Sequence, residues 1–122
     1  MIIRRRQIDA FSEYQMKDFR KRMAVYLRTT FPEKCTNMAE KPLSDLIKSG
    51  IAKARSYQLK TERELTMYLT LSVGLGPDLY ESDDLLWARK LLYDQSMDGV
   101  VRLGFIFKLL AQQNAMAVGA RD

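Results

Sequence analysis

The stretch Leu59–Asp78, LKTERELTMYLTLSVGLGPD, decides the fold of this chain. Thr61 and Glu64 form a capping box, in which each side chain bonds to the other residue's backbone N–H at a helix start. No charged residue occurs from Leu65 to Pro77, although 29% of the whole chain is charged. Because a helix without a charged face has to be enclosed by other elements, we predict a buried central helix. It should end at Gly76-Pro77, where glycine accepts a left-handed cap and proline cannot continue the hydrogen-bond ladder.

The same stretch also fits the pattern of a strand. Its apolar residues alternate with other residues at Leu65, Met67, Leu69, Leu71, Val73 and Leu75. A period of two is typical of a β-strand with one buried face. The capping box, the charged first turn and the length of the stretch favour the helix, and the strand remains the alternative.

The rest of the chain shows helical spacing of apolar residues and helix-breaking signals between the periodic segments. The predicted elements are a first helix from about Arg5 to Thr30, one turn from Pro32, a helix from Pro42 to Tyr57, a short helix capped by Ser82 or Asp83, and a last helix from Ser96 or Met97 to Gln113. Gly50 lies inside one of these helices, so we expect another helix, the central one, to approach closely there. The prediction is an all-α chain, a compact irregular bundle of about five helices, with residues 1–122 as a single domain and a frayed tail from about 115 to 122.

Composition excludes most catalytic and metal chemistry. The 122 residues contain no histidine and one cysteine, Cys35, so disulfides, Cys/His zinc sites and imidazole-based triads are ruled out. No G-x-S-x-G, S-x-x-K or P-loop pattern occurs. Composition leaves Ser/Lys or carboxylate catalysis formally open, but without such a pattern we expect no catalytic residues, no metal, no cofactor and no enzymatic activity. A neighbouring cation activates a thiol, so one interpretation of Cys35 beside Lys34 is a slightly activated thiol. A structural cysteine after a helix end is the simpler interpretation.

Hydropathy predicts a cytoplasmic protein. No apolar run approaches the eighteen or so residues that a membrane span needs. The beginning, MIIRRRQ, is basic but lacks the apolar core of a signal peptide.

Charge is distributed unevenly along the chain. The net charge is +8 over residues 1–60 and −3 over residues 61–122. This asymmetry indicates a partner with an acidic surface, or head-to-tail contact between copies of the chain. A larger solvated helix surface in the first half is the alternative explanation.

The candidate partner-binding residues lie on the basic face of the first helix and around the turn after the central helix. They are Arg4, Arg5, Arg6, Arg20, Lys21, Arg28, Tyr80 and Trp87. Tyr80 and Trp87 have the character of interface anchors, although Trp87 also suits a core position that holds down the turn. The nearby acidic residues Asp78, Glu81, Asp83 and Asp84 fit no calcium loop, and helix capping explains them better.

Nucleic-acid binding is the outlying alternative. The run Arg4–Arg6, with Arg20, Lys21 and Arg22, has the charge to contact phosphates. A helix-turn-helix, however, needs an exposed base-reading helix, and the predicted central helix is too apolar for that role.

Several short motifs together resemble a family of small helical bacterial proteins. The motifs are I-R-x-x-Q at Ile3–Gln7, F-x-x-x-M-x-x-x-L at Phe19–Leu27, F-P-x-x-C at Phe31–Cys35, G-I-x-x-A at Gly50–Ala54, T-E-R-E at Thr61–Glu64, Y-L at Tyr68-Leu69, L-G-P-D at Leu75–Asp78 and W-A-R at Trp87–Arg89. Proteins of this family are encoded beside type VI secretion effectors, PAAR spike-tip proteins and the adaptor chaperones that load effectors. The resemblance covers residues 3–92, and none of its motifs is catalytic.

This resemblance implies a non-enzymatic role in binding another protein. One expected role is that of an accessory chaperone or co-adaptor for an effector or its loading chaperone. The other is that of an immunity protein that neutralises a toxin from the same locus. The basic charge favours the accessory chaperone, because cytosolic immunity proteins against basic toxins are often acidic.

Overall fold

The computed structural model describes the backbone of residues 13–121 and the side chains of residues 13–113. This part of the chain is all-α and contains no strand. Its helices are α1 (Glu13–Thr30), α2 (Pro32–Cys35), α3 (Glu40–Ser56), α4 (Glu62–Leu75), α5 (Asp78–Glu81), α6 (Leu86–Tyr93) and α7 (Gly99–Arg121), with a 3₁₀ turn at Asp83–Leu85. Contacts group the chain into two compact units, residues 1–76 and 77–122. The predicted fold class is confirmed, with five of the described helices having seven or more residues.

The central helix of the sequence is α4, and its capping box is present. The Thr61 hydroxyl accepts from the Glu64 N–H at 3.1 Å, and Glu64 Oε1 accepts from the Thr61 N–H at 3.0 Å. The helix ends at Gly76, which has a φ of +63° and donates its N–H to the Ser72 carbonyl at 2.8 Å. The strand alternative is therefore wrong, because residues Glu62–Leu75 form a helix that begins at the capping box and ends at Gly76.

Apolar side chains of α4 form much of the core of the first unit. Those buried are Leu65, Tyr68, Leu69, Leu71 and Val73. Helices α1 and α3 both pack on α4 and on each other. Met67 and Leu75, which the sequence places in the same uncharged run, are half-buried, so the enclosure of α4 is incomplete on one side.

Helix α3 begins earlier than the sequence predicts. Its N-cap is Ala39, whose carbonyl accepts from the Leu43 N–H at 3.2 Å, so the helix starts at Glu40 and not at Pro42. Pro42 therefore occupies the third helical position, where its missing N–H would have had no partner within the helix. The predicted close approach at Gly50 is confirmed, because a Cβ on this residue would overlap the side chain of Leu69 on α4.

Basic side chains cap the C-terminal ends of helices in both units. In the first unit, Lys34 Nζ donates to the carbonyls of Val73 and Gly74, both at 2.8 Å, at the end of α4. In the second, Arg89 Nη1 donates to the carbonyls of Leu79 and Ser82 at 3.0 and 2.8 Å, at the end of α5. These cations satisfy carbonyls that have no partner within their own helix and complement the negative end of the helix dipole.

The second unit pairs α6 with α7. Ser82 caps the 3₁₀ turn, accepting from the Asp84 N–H at 3.2 Å, as one of the two predicted cap positions. Two apolar residues of this unit, Leu86 and Val101, are 49% and 45% exposed. The buried face of α7 contains Leu103 and Ile106, both 0% exposed, and also Arg102, whose Nη1 donates to the Leu92 carbonyl at the end of α6.

The backbone of α7 is helical through Arg121, whereas the sequence pattern ended the helix at Gln113. The frayed tail from about residue 115 and the single domain stay predictions. None of the described helices has the length and apolar content needed to cross a bilayer.

Candidate functional site: a basic groove between two helices

A groove of about 440 Å³ lies between α1 and α3 in the first unit. We call it the basic groove. Its lining residues are Lys17, Arg20, Lys21, Ala24 and Arg28 from α1, and Glu40, Leu43, Ser44, Ile47 and Lys48 from α3. Five of these side chains are cationic and one is acidic, so the groove presents a concentrated positive potential to solvent.

Helical periodicity places these residues together. The α1 residues recur at steps of three and four from Lys17 to Arg28, which puts them on one stripe about 16 Å long. Leu43 and Ile47, one turn apart on α3, are each 1% exposed and form the apolar base of the groove. The cations rise around this base because the long stems of lysine and arginine cover apolar surface while their charged ends stay in water.

Most of the groove cations have no acidic partner. No hydrogen bond or ion pair joins the side chain of Lys17, Arg20, Lys21 or Lys48 to another residue in the described part of the chain. The basic residues just outside the groove behave differently. Arg22 makes two 3.0 Å bonds to the Glu62 carboxylate and one of 2.8 Å to Asp18, and these bonds hold the pKa of its guanidinium above the usual range.

Arg28 is a structural residue at one end of the groove. Its guanidinium donates to the carbonyls of Cys35 at 3.0 Å, Thr36 at 3.2 Å and Met38 at 3.0 Å. These bonds fix α2 and the following link against α1. Arg28 therefore contributes charge to the groove while its nitrogens Nη1 and Nη2 are already engaged.

The structure locates the other predicted site residues as follows. Arg4, Arg5 and Arg6 lie outside the described residues. Tyr80 and Trp87 belong to the second unit, whereas Arg20, Lys21 and Arg28 come together in the basic groove of the first.

The two aromatic residues of the second unit differ in exposure. Tyr80 is 40% exposed, and partial burial together with the neighbouring Tyr93 raises the pKa of its hydroxyl. Trp87 is half-buried, and its indole N–H has no acceptor within the described part of the chain. Trp87 thus has more of the character of a packing residue than of an exposed anchor.

Sequence reasoning missed the contribution of α3 to the site. The candidate residues predicted from the sequence do not include Lys48, Ser44 and Glu40 of α3, or Ala24 of α1. The sequence does show that Lys48 directly follows Ile47. Once Ile47 is buried, the helical geometry determines where the Lys48 side chain lies. Pairing the two stripes would have required knowing which face of α1 meets α3.

No group of three or more acidic, cysteine or histidine side chains within the described residues is arranged to hold a metal ion. Comparisons of the chain with protein-family models, with curated proteins and with solved structures found no match.

Proposed function

We propose that this protein is a non-enzymatic binding protein whose basic groove takes an acidic segment of another polypeptide. The observation that supports this proposal is the set of four cations, Lys17, Arg20, Lys21 and Lys48, that line one groove without a partner among the described residues. Like charges held close together repel one another, and an acidic ligand relieves this repulsion. The same charges accelerate encounter with an acidic surface.

The apolar surface within the groove favours a polypeptide over a nucleic acid. Leu43 and Ile47 are each 1% exposed, so the apolar surface that a ligand can reach comes from Ala24 and from the hydrocarbon stems of the cations. This surface suits a ligand that has apolar as well as acidic side chains. An amphipathic helix that lies in a groove has this combination. A phosphate backbone gains nothing from these apolar contacts.

The role that we propose for this binding is that of an accessory factor, a co-chaperone or co-adaptor, for a type VI secretion effector or its loading chaperone. This assignment rests on the motifs between residues 3 and 92, and the groove supports its binding component. An immunity protein that neutralises a cognate toxin is the alternative from the same resemblance. Both roles are fulfilled in the cytoplasm by binding alone.

The binding proposal is tested by charge reversal in the groove. The triple variant K17E/K21E/K48E changes three exposed groove residues, and R55E/K60E/R63E makes the same change of net charge at exposed positions outside it. The measurement is the Kd for each purified protein encoded beside this chain. We expect the groove variant to raise Kd by about tenfold or more and to reduce its salt dependence, because rim charges act mainly through long-range attraction.

The control variant should change Kd by less than about threefold. Equal losses in the two variants would show that net charge, and not the groove, drives binding. A salt-dependent gel shift with nucleic acid that the groove variant abolishes would replace the polypeptide by a phosphate backbone as ligand.

Gene deletion separates the two roles. Loss of an accessory chaperone should lower the abundance or secretion of the effector. Loss of an immunity protein should make the cell vulnerable to sister cells that carry the toxin.

A further inference from the structure

A short acidic segment in the second unit carries carboxylates that nothing in the described chain neutralises. The segment runs from Asp78 to Leu86. Its four acidic residues, Asp78, Glu81, Asp83 and Asp84, are exposed, and their carboxylates make no ion pair or hydrogen bond within the described residues. Helix capping was expected to explain this cluster, but the hydroxyl of Ser82 performs the capping and leaves the carboxylates on the surface.

The acidic segment is held in one conformation. Leu79 and Leu85 are buried at 0% and 7% exposure and anchor its two ends. Between them, the Arg89 guanidinium binds two backbone carbonyls of the segment. A segment that is already ordered loses little conformational entropy when it binds, so a small contact is sufficient for measurable affinity.

The acidic segment and the basic groove match in charge and in apolar character. The segment has four carboxylates without a partner among the described residues, and the groove has four such cations, Lys17, Arg20, Lys21 and Lys48. Tyr80 and Leu86, 40% and 49% exposed, flank the carboxylates, and the groove offers such groups Ala24 and the hydrocarbon stems of its cations. Opposite potentials of this kind fix the orientation of a contact and speed its formation.

We propose that the acidic segment of one copy of this protein docks into the basic groove of a second copy. The two surfaces are different patches, so the contact is head-to-tail and continues from copy to copy until it closes into a ring or ends. The chain as a whole carries a net charge of +5, which opposes association, so the attraction is local and weak. Self-docking fills the groove until a partner displaces it, and the contact requires no molecule other than this chain.

Sedimentation velocity of the purified full chain tests the proposal. In about 50 mM salt the average mass should rise above 14.2 kDa with protein concentration, and in about 500 mM salt it should return to that value because the charges are screened. The groove variant K17E/K21E/K48E and the segment variant E81K/D83K/D84K should each remain monomeric. The control variant R55E/K60E/R63E should associate as the unmodified chain does.

An equimolar mixture of the groove and segment variants provides the sharpest measurement. Each variant alone brings like charges together, whereas in the mixture a negative groove meets a positive segment and a positive groove meets a negative one. The mixture should therefore recover concentration-dependent association. Circular dichroism checks that the variants keep their helix content, and the neutral variant E81Q/D83N/D84N, which should also be monomeric, serves if the charge-reversed segment does not fold.

Three results would overturn self-docking. They are a monomeric unmodified chain at low salt and high concentration, association that either variant retains, and a mixture that stays monomeric. The outcome is independent of the proposed function, because the segment variant keeps an intact groove and should bind an external acidic partner as before. Failure of self-docking thus leaves partner binding in place, and failure of partner binding leaves self-docking to be judged on the purified chain.

Discussion

Gly50 of α3 lies directly against Leu69 of α4, so closely that a Cβ on the glycine would overlap the leucine Cδ2. A glycine inside a helix costs about 1 kcal/mol relative to alanine, because it loses more backbone freedom on folding. The contact explains why that cost is tolerated here. Without a side chain at Gly50, the two helices approach far enough for Leu69 to be completely buried.

We expect Gly50→Ala to lower the stability of the protein. The gain in helix propensity is about 1 kcal/mol, but forcing a methyl group into a packed core costs about 1–3 kcal/mol. The midpoint of urea unfolding should therefore shift to lower concentration. Combining the substitution with Leu69→Ala identifies the cause: Leu69→Ala should cost less in the Gly50→Ala background than in the unmodified chain, because removing the leucine also removes the overlap.

Gly104 of α7 is the matched control. A Cβ added there meets no atom within 4 Å, so Gly104→Ala keeps the gain in propensity without the overlap. We expect this substitution to stabilise the protein by about 0.5–1 kcal/mol. Two glycine-to-alanine changes in helices should thus have opposite signs, and the same sign for both would contradict the role given to Leu69.

Leu71 of α4 is 2% exposed, and its truncation to alanine should be costly. Removing buried methyl groups and leaving a cavity lowers the free energy of unfolding by about 2–5 kcal/mol. Leu46→Ala on α3 makes the same chemical change at a side chain that is 37% exposed and should cost clearly less. Urea titration measures both, and equal costs would show that burial of α4 does not stabilise the core as described.

Much of the fold could be predicted from the sequence because the deciding signals are local. The capping box at Thr61, the break at Pro32 and the glycine at position 76 each act through the backbone of a few neighbouring residues. The close approach at Gly50 was also predictable, since a glycine in a helix needs a compensating contact. These features depend on the residue types at fixed offsets and not on which helices meet.

The differences between prediction and structure have local and tertiary causes. Helix α3 starts at Glu40, two residues before Pro42, because a proline in the first turn lacks only an N–H that has no acceptor within the helix. The burial of Arg102 on α7 has a tertiary cause, because this cation is 3% exposed and bonds to the end of α6. A pattern of apolar residues does not predict a buried cation that donates to a backbone carbonyl.

The candidate site was predictable only in part for the same reason. The basic stripe of α1 was visible from the spacing of Arg20, Lys21 and Arg28. The sequence does not show that Arg28 binds backbone carbonyls in and after α2. Nor does it show that the side chains of Arg20 and Lys21 have no partner among the described residues. Both facts depend on where α2 lies. Lys48 joins the site only through the packing of α3 on α1.

Lys34 should contribute to stability by capping α4, which has no basic residue in its own last turn. Its ammonium group donates to two carbonyls there, Val73 and Gly74. Because the side chain is exposed, we expect Lys34→Met to cost only about 1 kcal/mol. Lys60→Met removes an exposed lysine that makes no such bond and should change stability by less than about 0.5 kcal/mol. Thermal unfolding of both variants measures the two effects. Equal effects would show that the bonds from Lys34 do not stabilise α4.

The stability of the second unit should fall in acid through Asp94, at the end of α6. Its carboxylate accepts from the Ser96 hydroxyl at 2.6 Å and the Ser96 N–H at 3.0 Å, and these bonds, with a further contribution from Arg102, lower its pKa. A carboxylate whose pKa is lower in the folded state stabilises the fold above its unfolded pKa, which is about 4. As the pH falls below that value the unfolded state takes up the proton first, and the stabilisation is lost through the folded pKa.

Asp94→Asn should therefore reduce stability near neutral pH and flatten the loss of stability below about pH 4, because the substituted side chain no longer titrates. Ser96→Ala should do the same in part, since it removes the hydroxyl that contributes most to the lowered pKa and keeps the backbone N–H. Urea unfolding across the acid range measures the slope for the three proteins. If both variants keep the full acid dependence of the unmodified chain, other carboxylates are responsible and the Asp94–Ser96 contact does not couple folding to pH.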